Sequence, residues 1–130
     1  LTQLSPGDEA QDVQVLWEDQ QRINTFSKLN ARLSGLEDDY ELKKSEKEYL
    51  EDATQEIELI DEDEQVPYKV GDSFFWVKQS ELSDRLEKEI ELADEGLSSI
   101  EEQMANVTDE MNDLKAMLYA KFGKSINLER

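Results

Sequence analysis

Two uninterrupted heptad seams constrain this chain more than any other feature. Phe26, Leu29, Leu33, Leu36, Tyr40, Lys43, Lys47, Leu50, Thr54 and Ile57 step by three and four without a slip. Leu86, Ile90, Ala93, Leu97, Ile100, Met104, Val107, Met111, Leu114 and Leu118 do the same, and all of these are apolar. A period of 3.5 residues sustained this far marks helices that pair along a narrow seam rather than helices packed into a globule. The seams match in length and only a short segment separates them, so they are expected to fold back on one another as an antiparallel intramolecular coiled coil. Counting from the turn puts Ile57 opposite Leu86 and Phe26 opposite Leu118. Lys43 and Lys47 then fall opposite Ile100 and Leu97, where their stems must snorkel.

Between the seams the period changes. Gln65-Val-Pro-Tyr-Lys-Val-Gly-Asp-Ser-Phe-Phe-Trp-Val-Lys78 has the pattern of two strands and a turn. Gly71 supplies the conformational freedom that the turn at Val70–Ser73 needs, and Pro67 suits an edge strand or a strand start. A lone hairpin is marginal in water, and this one carries Val66, Tyr68, Val70, Phe74, Phe75, Trp76 and Val77. Either it folds back on its own helices, or its edges pair with hairpins of other subunits in a shared sheet or barrel. Thin arms offer little surface to cover both faces, so these seven residues are expected to form a subunit interface.

The expected fold is therefore mainly α: two long helices in an antiparallel intramolecular coiled coil, joined by one β-hairpin that joins an intersubunit sheet or β-barrel. Helix one should span about 17–60, the hairpin about 65–79 and helix two about 81–122, within a single domain at 13–130. Residues 1–12, polar and holding Pro6-Gly7, are expected to be a flexible tail. Glu18 and Asp19 suit the positive end of the first helix dipole, and the acidic run Asp61–Glu64 should end that helix. Ser80 or Ser83 could cap helix two, and Gly123 should stop it, with Lys121 and Lys124 complementing its dipole.

Charge and composition narrow the function. The net charge is −19, from 33 Asp and Glu against 14 Lys and Arg. Such a surface repels phosphate backbones and anionic headgroups, so neither nucleic acid nor membrane is an expected partner. The chain has no Cys and no His, which removes zinc-thiolate sites and the usual general base. The acidic runs lack the spacing and bracing glycine of an EF-hand loop. There is no phosphate loop or nucleophile elbow. No catalytic, cofactor-binding or metal-binding residue is predicted, and an enzyme is not expected. With no long apolar stretch and no signal-peptide pattern, an intracellular protein is the expectation.

The ends of the seams carry surplus apolar bulk. Val15, Leu16, Trp17 and Ile23 flank the first, and Tyr119, Phe122, Ile126 and Leu128 flank the second. The antiparallel register brings them together at one tip, with Trp17 near Ile126 and Ile23 near Phe122. Some must seal the coiled coil. The set exceeds what sealing needs, and exposed apolar patches mark interaction sites.

Three segments carry a family resemblance: Trp17-Glu-Asp-Gln-Gln-Arg-Ile-Asn-Thr-Phe26, Pro67-Tyr-Lys-Val-Gly-Asp-Ser-Phe74, and Leu118-Tyr-Ala-Lys-Phe-Gly-Lys-Ser-Ile-Asn-Leu-Glu129. Together they make nearly the whole chain after about Val13 resemble prefoldin, in its β-type subunits. Trp17 stands where that pattern has Phe, and Leu16 where it has a capping Thr. The resemblance implies a hetero-hexamer of two α-type and four β-type subunits, with the hairpins in a double β-barrel platform. It also implies an ATP-independent chaperone that holds unfolded chains, notably actin and tubulin, and passes them to the cytosolic chaperonin. On that reading Val66–Val70 and Phe74–Val77 are barrel residues and the terminal apolar residues are client contacts. The expected compartment is the cytoplasm, with the nucleus open as a second. The competing reading is a coiled-coil scaffold or tether that docks through its hairpin and has inert tips.

Overall fold

The computed structural model describes residues 16–123 and 126–128. Helix α1 (Trp17–Ile57) is followed by strands β1 (Gln65–Val70) and β2 (Ser73–Lys78) and by helix α2 (Gln79–Phe122). The expected tail at 1–12 lies outside the described residues. The chain forms two compact units, each holding a stretch of both helices. One, the hairpin unit, is residues 39–100; the other, the tip unit, is made of the residues up to 38 and from 101 onward.

Within each unit the seam is what is buried. Every seam residue named above is buried or half-buried, and the four polar ones, Tyr40, Lys43, Lys47 and Thr54, are half-buried. In the hairpin unit Leu50 and Ile57 of α1 meet Leu82, Leu86 and Ala93 of α2, and Val66 of β1 closes the cluster. Thr54 tolerates its seam position because its hydroxyl donates to the Leu50 carbonyl at 2.9 Å.

At the hairpin end Ile57 and Leu86, opposed in the count, belong to one buried cluster. The Lys43 stem lies against Gly96, where an added Cβ would sit 3.3 Å from Lys43 Cε. The Lys43 ammonium then turns to Glu46 at 3.2 Å. Lys47 pairs with Asp94 at 2.6 Å. Asp94 and, secondarily, Glu51 and Tyr40 raise the Lys47 pKa against the opposing effect of desolvation. In the tip unit Asp19 pairs with Lys121.

The two connections to the hairpin are asymmetric. β2 runs into α2 with no intervening residue, whereas β1 begins well after α1 has ended. Helix α1 stops at Ile57 rather than Ile60, and its last turn tightens to i→i−3 bonds, Leu59 N–H to Glu56 and Ile60 N–H to Ile57. Helix α2 starts at Gln79, earlier than expected, and neither Ser80 nor Ser83 is needed as its cap. The amides of Gln79 and Ser80 donate instead to the carbonyls of Glu64 and Glu62, at 2.9 and 3.1 Å. The Gln79 side chain, buried, donates from Nε2 to the Ile57 carbonyl at 2.7 Å. One residue thus satisfies the end of α1 from the start of α2.

The strands pair antiparallel from Gln65↔Lys78 to Val70↔Ser73, leaving a two-residue loop of Gly71 and Asp72. Gly71 has φ of 61°, as a tight hairpin turn of this length demands at its first position.

Replacing Gln79 by Ala should destabilise the chain by about 1 kcal/mol, because the Ile57 carbonyl loses one of its two donors and keeps only the Ile60 amide. Gln79→Glu should cost more, since it sets a carboxylate against that carbonyl at the negative end of α1. Thermal denaturation of the two variants checks the order; equal effects would show that packing, not the hydrogen bond, is what Gln79 supplies.

Candidate functional site

Two surfaces carry the residues singled out from the sequence. On the hairpin, strand alternation puts Val66, Tyr68 and Val70 on one face with Val77, Phe75 and Ser73, and Pro67 and Lys69 on the other with Trp76 and Phe74. The first face is split along its length. Val66 is buried in the core of the hairpin unit, with Tyr68 and Val77 packed half-buried against it. The Arg85 guanidinium lies 5.2 Å from the centre of the Tyr68 ring. The hairpin base therefore folds back on its own helices, because the direct β2–α2 junction holds it against the first turns of α2. Farther out, Val70, Phe74, Phe75 and Trp76 are exposed, Trp76 at 70%. Lys69 reaches over the Phe74 ring at 5.7 Å but leaves most of it bare.

At the tip the expected contact residues also divide. Ile23, Phe122, Ile126 and Leu128 are buried, whereas Leu16, Trp17 and Tyr119 are exposed, Trp17 at 74%. Val15 lies outside the described residues. The buried four are covered within the tip unit, and the exposed three are what it presents.

Asp19 organises this end. It is 2% exposed and pairs with Arg22 at 3.0 Å and with Lys121 of α2. Its carboxylate also accepts from the Leu16 backbone amide, half of a capping box in the absence of a Ser or Thr cap. The hydrogen bond from Lys121 lowers the Asp19 pKa most; the Lys121 charge, the Leu16 amide and Arg22 add to this, and desolvation opposes it.

Sequence reasoning placed Asp19 and Lys121 only as dipole partners of their own helices and passed over Gln79 altogether. It also missed exposed Met117 beside the tip, and Leu42 and Tyr49 on the outer face of α1. The seven-residue spacing of Leu42 and Tyr49, off the seam, was the available signal.

Among the described residues no group of three or more His, Cys, Asp or Glu side chains is arranged to hold a metal ion, and no helix is long and apolar enough to cross a membrane.

Comparison with known proteins places this geometry. A family model described as "Prefoldin subunit" matches residues 20–125. Prefoldin subunit 4 of Saccharomyces cerevisiae is 48% identical over 128 residues, covering 98% of this chain and 99% of that protein. The chain belongs to the prefoldin family. Prefoldin subunit 4 of Homo sapiens is 40% identical over 121 residues, 92% of this chain and 90% of that one. In fold, the chain is similar to the crystal structure of the prefoldin beta subunit from Thermococcus strain KS-1, with a TM-score of 0.77 over 85% of this chain and 97% of that one at 17% identity. The chain is thus a prefoldin chaperone subunit, and membership in the family implies assembly with other prefoldin subunits.

Two measurements follow. Trp76→Asp should leave the isolated chain helical but abolish its entry into the assembly, since an unpaired charge buried at a subunit contact costs several kcal/mol. Normal stoichiometry of the variant in the purified complex would rule out the distal hairpin as the assembly element. Asp19 gives a pH signature. Its lowered pKa means that its stabilising effect is present above the ordinary value of 3.8 and is lost as pH falls through the folded value. The stability gap between the native chain and Asp19→Asn should therefore hold at neutral pH and close below about 3.8, as read by denaturant titration across pH.

Proposed function

We propose that this chain serves as the subunit-4 member of a prefoldin hetero-hexamer of two α-type and four β-type subunits. The assembly holds unfolded polypeptides without ATP, with actin and tubulin as clients, and passes them to the cytosolic chaperonin. It works in the cytoplasm, with the nucleus as a second compartment. Val70, Phe74, Phe75 and Trp76 are the residues offered to neighbouring subunits in a shared barrel, while Val66, Tyr68 and Val77 anchor the hairpin to its own helices. Neither contact surface requires a catalytic group or a cofactor.

The observation that carries the reading is the exposure of Trp17 beside Leu16 and Tyr119 on a chain of net charge −19. A tether with inert tips has no use for a bare indole there. Burial of apolar side chains suits a holder of unfolded chains, because it is non-directional and tolerates many sequences. The yeast and human proteins similar along nearly the full chain are both prefoldin subunit 4, which supports the same assignment.

In an assembled complex, Leu16→Ser with Trp17→Ser should preserve subunit stoichiometry yet lower affinity for an unfolded client by roughly three- to tenfold, the loss being spread over several weak arm contacts. Suppression of aggregation of chemically unfolded actin measures it. Holding should persist at raised salt, because apolar burial is not screened as charge pairing is. Undiminished holding in the variant, or loss of holding with salt alone, would move the client site to the acidic helix faces.

A further inference from the structure

The last described residues of the tip unit are held as a bound peptide would be. After α2, Gly123 takes φ of 59°, the left-handed conformation that redirects a chain leaving a helix. Beyond it Ile126 and Leu128 are buried, at 4% and 3% exposed, while Asn127 between them is exposed. That alternation is the period-2 pattern of an extended segment with one side sunk into an apolar surface. The Tyr119 hydroxyl meets the same segment: it donates to the Leu128 carbonyl at 3.4 Å and accepts from the Leu128 amide at 3.2 Å. Neither bond depends on which side chain residue 128 carries. A hydroxyl that serves both backbone groups of one residue can serve those of any residue except proline. Two apolar side chains buried at i and i+2, with both backbone groups of the second held by one hydroxyl, are the features of a sequence-tolerant receptor for extended chain.

Building on the holding function proposed above, we infer that this groove is itself a client site, occupied at rest by the chain's own Ile126-Asn127-Leu128. Extended apolar–x–apolar segments of unfolded proteins displace the strap and take its sockets and its Tyr119 clamp. The strap follows α2 within a few residues, so its effective concentration at the groove is high. It keeps the sockets from standing open in water, yet yields to an unfolded client that offers many such segments at once. Ile126 and Leu128 then mark the groove as stand-ins for client residues, and Tyr119 touches the client directly.

The test uses the assembled complex and a labelled, unstructured peptide bearing one Ile-x-Leu motif, with its Ser-x-Ser counterpart as control. Ile126→Ser with Leu128→Ser, which vacates the groove, should tighten binding of the Ile-x-Leu peptide about tenfold by removing the internal competitor, and leave the control unbound. Adding Tyr119→Phe to that variant should reverse most of the gain, because the incoming backbone loses its clamp. Unchanged or weaker binding in the strap variant overturns the inference, since Ile126 and Leu128 would then be seals or contacts in their own right. A second measurement does not depend on how the variant folds: a free peptide of residues 123–130 should compete with the labelled probe for the native complex, and failure to compete overturns the inference. Aggregation suppression by the native complex separates the two levels. If it is normal while both peptide tests fail, only the strap inference falls; if it is absent, the holding function falls with it.

Discussion

Burial of a narrow apolar seam between two antiparallel helix stretches is the interaction on which everything else in this protein depends. Neither helix could persist alone in water with so many charged residues, since helical stability in proteins comes chiefly from packing an apolar face. The seam supplies that face with few residues per turn, leaving the rest of each helix surface for carboxylates. Where it weakens, at Lys43 and Lys47, the chain compensates with stem packing on Gly96 and ion pairs to Glu46 and Asp94. These pairs are partly exposed, so their contribution is modest.

A surface of this acidity keeps copies apart through like-charge repulsion. Against it stand groups of bare large apolar side chains, among them the distal hairpin with Phe74, Phe75 and Trp76 and the tip with Leu16, Trp17 and Tyr119. A hairpin edge is a template for pairing with another strand, so repulsion elsewhere and apolar attraction at the edge together favour one specific contact over general aggregation. The tip presents apolar side-chain surface, whose attraction is non-directional.

Much of this was legible in the order of residues. The two seams, the strand segment between them and the turn at Gly71 all rest on local periodicity and on one residue's freedom to take positive φ, and neither depends on distant parts of the chain. The ion pairs of Lys47 with Asp94 and of Asp19 with Lys121 did not follow from the heptad pattern, which marks only the seam positions. Nor did the unequal junctions, with no spare residue at Lys78–Gln79 against a connector between Ile57 and Gln65. Gln79 had no periodic signature to betray it: a polar residue at a strand–helix boundary becomes structural only when a helix-end carbonyl, that of Ile57, is brought to it.

The sequence by itself determined the class of fold, the places where apolar surface would gather and, through its resemblance to prefoldin, the family. Those follow from heptad spacing, from composition and from motifs that survive without coordinates. Only the tertiary structure decided which apolar residues are spent on sealing and which are presented. Val66, Ile23, Phe122, Ile126 and Leu128 are buried, while Trp17, Phe74 and Trp76 are bare, although all belong to the same hydrophobic class. Burial depends on what lies across from a side chain in space, and the Asp19–Lys121 pair and the Tyr119–Leu128 bonds, which shape the tip, join residues whose meeting no local pattern announces.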